Sequence, residues 1–149
     1  MYEQIKTLCN ALTATSQYFK QTHLCAALGG HAIHELTQQT YEHLDDNTDR
    51  LKELAIIIFG DRRIAIAANS LSEAATFCKN IPNNAQTDDI QLMVKNCLSL
   101  LDELGEMCET LCATVEVENK PFMQGILNAL GDISETLARD KYLLAMEIK

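Results

Sequence analysis

Long stretches without a helix breaker set the terms for this chain. Its 149 residues include only two prolines and six glycines. Pro82 and Pro121 fall between the periodic segments, not inside them. Apolar side chains recur at intervals of three and four, the spacing of one face of an α-helix. The first such segment runs from about Tyr2 to Ala27, with Ile5, Leu8, Cys9, Leu12 and Phe19 on one stripe and Gly29-Gly30 as its stop. The second covers roughly His31 to Phe59, carrying Ile33, Leu36, Thr40, Leu44, Leu51, Leu54, Ala55 and Ile58, and ends at Gly60-Asp61. Thr87-Asp88-Asp89 opens a third, to about Val115, with Ile90, Met93, Val94, Cys97, Leu101, Leu104, Cys108, Leu111 and Cys112 inward. After Glu118-Asn119-Lys120-Pro121, a turn with Pro121 suited to a first helical turn, a fourth runs to about Met146. Its inward set is Phe122, Ile126, Leu127, Leu130, Ile133, Leu137 and Leu144.

Between the second and third segments the pattern weakens. Ser70 is placed to cap a short helix reaching about Cys78, and Ile81-Pro82-Asn83-Asn84 breaks the chain again. The expected fold is a single all-α domain spanning residues 1–149. Two short loops make antiparallel neighbours, and one long middle connection carrying a short fifth helix gives the crossover of a ferritin-like four-helix bundle. A composition of 47% hydrophobic residues supplies enough apolar surface for the core.

The net charge of -9 favours solubility and attracts cations, and it opposes contact with nucleic acid or anionic membranes. Arg62-Arg63 is the only adjacent basic pair, and no Lys-rich tail occurs, so DNA binding is expected to be weak or nil. Met1-Tyr2-Glu3 leads straight into an amphipathic pattern and no apolar run nears the ~20 residues of a bilayer span. A cytoplasmic protein without a membrane segment is expected. Six cysteines lack zinc-knuckle spacing and are expected to pack as small hydrophobes.

Chemistry concentrates at the start of the second helix. His23, His31 and His34 lie close in sequence, and His34, Gln38, Asp45, Asp49 and Glu53 follow at steps of one or two turns. Imidazole and carboxylate suit ions such as Fe2+, although such a row also marks an ordinary solvated face. Asp49 and Glu53 are four apart and so neighbours on one face. His34 and Asp49 are separated by about 22 Å along a helix and cannot ligate one ion from the same chain. A shared site therefore needs a second copy, and a two-fold dimer would contain two equivalent sites.

The residues Tyr18 to His23, Gly29-Gly30, His34-Glu35-Leu36 and Asp49-Arg50-Leu51-Lys52-Glu53-Leu54-Ala55 resemble the signature of the Dps family, the miniferritins. Lys141-Tyr142-Leu143-Leu144-Ala145 is similar to that family's close. The resemblance covers nearly the whole chain. It implies a hollow dodecamer built from two-fold dimers that oxidises ferrous iron, preferentially with hydrogen peroxide, and stores ferric mineral against oxidative stress. It also implies that His23 and His34 of one subunit, with Asp49 and Glu53 of another, are the iron ligands. Three departures stand out. Gln38 replaces the family's usual Asp, Leu24 replaces its Trp, and the interval from His23 to His34 is one residue short, which makes His31 a rival for the place of His23. A shell or helical interaction protein with a degenerate iron site is the alternative. A di-iron centre inside one bundle would need Glu-x-x-His motifs, and none occurs.

Overall fold

The computed structural model describes residues 1–27, 30–79 and 87–148. They form helices α1 (Tyr2–Ala26), α2 (His31–Phe59), α3 (Ala67–Cys78), α4 (Ile90–Glu118) and α5 (Gln124–Ala145), with a 3-10 turn at Arg62–Ala65 before α3. There is no strand among the described residues. The four long helices appear where the apolar periodicity places them. The breaks expected at Gly29 and at Ile81-Pro82-Asn83-Asn84 lie outside the described residues.

Cross-helix pairs give the direction of every element. Ser16 faces Asp45 and His23 faces His34, so α1 and α2 are antiparallel. His43 meets Asp140 and Arg50 meets Asp132, so α2 and α5 are antiparallel. Lys141 pairs with Asp102, and Gln91 donates to the Glu147 carbonyl at 3.0 Å, so α5 and α4 are antiparallel. Cys97 lies against Thr22 while Leu8 lies near Met107, which makes α4 antiparallel to α1. The helices therefore sit in the ring order α1, α2, α5, α4, a four-helix bundle with α2 and α4 on opposite corners and running the same way.

That arrangement forces the connection after α2 to travel back along the bundle. It does so beside α1. Tyr2 and Phe59 rings meet edge-on at 5.6 Å where α2 ends. Asn10 then binds Glu73, and Cys78 lies 3.7 Å from the Ala14 carbonyl, so α3 runs parallel to α1. With α2, α3 and α4 all against it, α1 buries more than one stripe, and Ala11, Ala14, Thr15 and Ser16 are buried together with Leu8, Leu12 and Phe19. Small side chains let the helices approach there. Inside the bundle, Thr15, Thr22, Thr37, Thr40 and Thr48 each donate to the carbonyl four residues back, which satisfies hydroxyls that burial would otherwise leave costly.

Three local expectations change. Ser70 is not a cap, because the helix already starts at Ala67 and Ser70 accepts from Lys52 Nζ at 3.3 Å. Asp61 starts the chain turning earlier, its carboxylate capping the 3-10 turn through the Arg63 N–H. Pro121 lies in the turn ahead of α5, not in its first turn. Phe122 there is 85% exposed instead of inward, at φ 67°. Its position outside α5 takes it off the helical stripe that the spacing implied. By contrast, Asp89 caps α4 by accepting from Leu92 N–H at 3.2 Å.

Gly60 ends α2 in the left-handed conformation at φ 67°, with open space where a Cβ would stand. A Gly60→Ala change is thus a pure backbone test. It is expected to lower stability by about 1 kcal/mol, read as a shifted urea midpoint with unchanged slope.

Candidate metal centre

The end of α1 and the start of α2 lie side by side, and with them two of the histidines. The rings of His23 and His34 stack with centroids 3.7 Å apart and planes 19° from parallel. Each ring's Nδ1 contacts the other residue's backbone carbonyl: His23 to His34 O at 2.7 Å, and His34 to His23 O at 2.8 Å. A carbonyl oxygen only accepts, so both Nδ1 atoms carry the proton, and in the neutral ring the lone pair is then on Nε2. This is the orientation that an imidazole ligand takes when a carbonyl holds its other nitrogen. The reciprocal bonds also tie the last turn of α1 to the first turn of α2.

Tyr41 and Lys20 brace the pair. The Tyr41 ring meets His23 edge-on at 5.6 Å, and Lys20 Nζ lies 5.4 Å from the Tyr41 ring centre. Lys20 also pairs with Asp45 at 2.9 Å, and Asp45 accepts from Ser16. Asp45, one of the polar row on α2, is therefore turned to α1 and spent on that contact. None of these supports was foreseen from sequence. An aromatic seven residues after His34 is the only linear trace of Tyr41's place.

The remaining candidates separate cleanly. His31 is on the exposed side of α2 and faces Glu35 at 3.3 Å, with its side chain 85% exposed. The structure thus puts His23, not His31, beside His34. Gln38, one turn beyond His34, donates from Nε2 to Glu42 at 2.9 Å. Asp49 and Glu53 are exposed and enter no ion pair or hydrogen bond among the described residues. They stand about four and five turns beyond His34 along the unbroken α2, so the structure does not bring them to His34. No three His, Cys, Asp or Glu side chains converge in a metal-holding group among the described residues. One chain offers two imidazoles, and further ligands would have to come from elsewhere.

His43, unassigned from sequence, reaches α5. Its Nδ1–H donates to Asp140 at 2.9 Å, and Asp140 is buried at 4% exposure. Burial pushes that carboxyl above its ordinary range while His43 pulls it back. The six thiols are free, and burial pushes those of Cys9, Cys97 and Cys108 up to about 12. Thiolate chemistry at neutral pH is therefore suppressed at those three. No helix among the described residues is long and apolar enough to cross a membrane.

Compared with known proteins, the chain matches no family model, no curated protein and no solved structure.

Proposed function

We propose that this chain is a Dps-like miniferritin. In this reading it is a cytoplasmic, ferritin-like shell protein, a dodecamer of two-fold dimers, that takes Fe2+ as substrate at sites between subunits. The stacked, carbonyl-anchored pair of His23 and His34 carries the reading. A ligated ion lies in the plane of its imidazole, about 2.1 Å from the nitrogen. Two near-parallel planes 3.7 Å apart cannot both contain the same ion at that distance. Each ring therefore serves its own ion in this reading, which makes the centre a two-metal site.

Paired ions suit peroxide. Two ferrous ions give up one electron each, and hydrogen peroxide takes both as its O–O bond breaks. With two waters the products are two ferric oxyhydroxide units and four protons. No single-electron step then leaves a hydroxyl radical free. Asp49 and Glu53 of a second subunit supply the charge, consistent with their exposure and with their lack of partners among the described residues. The residues fit the ions in donor type: two neutral imidazoles and two carboxylates for a borderline divalent cation.

A shell with an inactive site is the second reading, and Gln38 favours it, because an amide contributes no charge. One measurement decides between them. Fe2+ oxidation with added peroxide is followed for the wild type and for Asp49→Ala/Glu53→Ala, with assembly checked by size. The wild type is expected to exceed protein-free buffer clearly, and the double variant to assemble normally yet fall back to the buffer rate. Wild-type protein no faster than buffer, or present only as monomer, sinks the ferroxidase reading.

A further inference from the structure

We infer that the cleft between α1 and α4 is a binding site for a linear aliphatic diamine, a chain of methylenes with an ammonium at each end. The inference goes beyond the iron chemistry, since no residue of the proposed centre lines the cleft. The cleft holds about 430 Å³, within the ~300–1,000 Å³ of small-molecule sites. Its surface is mainly apolar, with Leu8, Met107 and Leu111 as the floor between the helices. Glu3 on α1 and Glu103 and Glu106 on α4 stand around it. An apolar surface with a few convergent polar groups is the usual make-up of a ligand site.

Charge selects a cation, and placement selects one with two ends. Glu103 and Glu106 are exposed, and their carboxylates enter no ion pair or hydrogen bond among the described residues. Lys6 lies 4.0 Å from Glu3 but leans to Glu73 at 3.3 Å. The other hollows differ. Between α4 and α5, Lys141 answers Asp102. Between α1 and α3, Glu73 is held by Asn10 and Lys6. In the α1–α4 cleft Leu8 lies near Met107 across antiparallel helices. Glu3 precedes Leu8 on α1 and Glu103 precedes Met107 on α4, so the two carboxylates stand toward opposite ends of the cleft. At helical rise they are about 13 Å apart along the axis. A chain of roughly eight methylenes covers most of that distance, and each methylene laid on the floor leaves water. A hydrated metal ion gains nothing from an apolar floor, and a fatty acid meets three like charges.

Methionine methyl groups report on the cleft. Met107 lines it, whereas Met93 near the start of α4 and Met146 just after α5 lie at the other end of the bundle. The full chain, as it assembles and with its methionine methyls labelled, is titrated with octamethylenediamine while a methyl proton–carbon correlation spectrum is followed. The Met107 signal is expected to shift and saturate, with Met93 and Met146 unmoved. Glu103→Gln/Glu106→Gln should weaken binding about five- to thirtyfold. Glu35→Gln/Asp46→Asn, an equal loss of charge at exposed positions of α2, should leave it unchanged. Octylamine should bind more weakly, and Mg2+ and octanoate should not move Met107. All four substituted carboxylates are exposed, and an unchanged urea midpoint confirms that each variant folds. The inference is overturned if the diamine leaves Met107 in place, or if the two double variants lose affinity alike. Octylamine binding as tightly as the diamine, or Mg2+ or octanoate moving Met107 at the same concentration, overturns it too.

Discussion

Mixing two inactive variants should restore about a quarter of the wild-type sites. The first variant lacks His34 (His34→Ala), and the second lacks both carboxylates (Asp49→Ala/Glu53→Ala). Each alone is expected to oxidise Fe2+ no faster than buffer. In a two-fold dimer of unlike subunits one site inherits both defects, while the other receives intact histidines from one chain and intact carboxylates from its partner. Random assembly from equal amounts makes half of the dimers mixed, with one working site in two. Co-expression or co-refolding, followed by peroxide-driven oxidation per subunit, reads the fraction directly. A centre contained within one chain predicts no recovery at all. The expectation follows from the continuity of α2 over His31–Phe59, which holds His34 about 22 Å from Asp49 whatever the rest of the fold does.

The second large effect is on stability. Phe19→Ala is expected to cost about 3–5 kcal/mol, the range for emptying a buried aromatic site. Total domain stabilities are only ~5–15 kcal/mol, so the urea midpoint should fall by a large fraction of its value. Phe19 is 0% exposed on the face of α1 that meets the bundle core. Phe122→Ala is the matched control. Its side chain is 85% exposed and should change stability by no more than about 0.5 kcal/mol. A midpoint shift for Phe122→Ala as large as that for Phe19→Ala would contradict the placement of both rings.

These two phenylalanines also mark where linear pattern stops being informative. Phe19 sits inside a helix, where period and neighbours both locate it. Phe122 follows Pro121 in a turn, and outside a helix the 3.6-residue period has no force. Ser70 failed for a related reason. Capping preference is a local signal, and Asp61 further upstream had already started the chain turning, so Ser70 fell inside the helix.

The sequence by itself determined the four long helices, their short-loop pairings and the long connection, because helical periodicity and breakers act over a few residues. It also determined that His34 and Asp49 cannot meet within one chain, since helix rise is a local constant. Only the tertiary structure decided which histidine stands beside His34. The choice between His23 and His31 depends on how the ends of α1 and α2 face each other across the loop, and the two reciprocal Nδ1–carbonyl bonds are contacts between helices that no spacing rule contains. The same holds for Asp45, which lies in the polar row yet turns to Ser16 and Lys20.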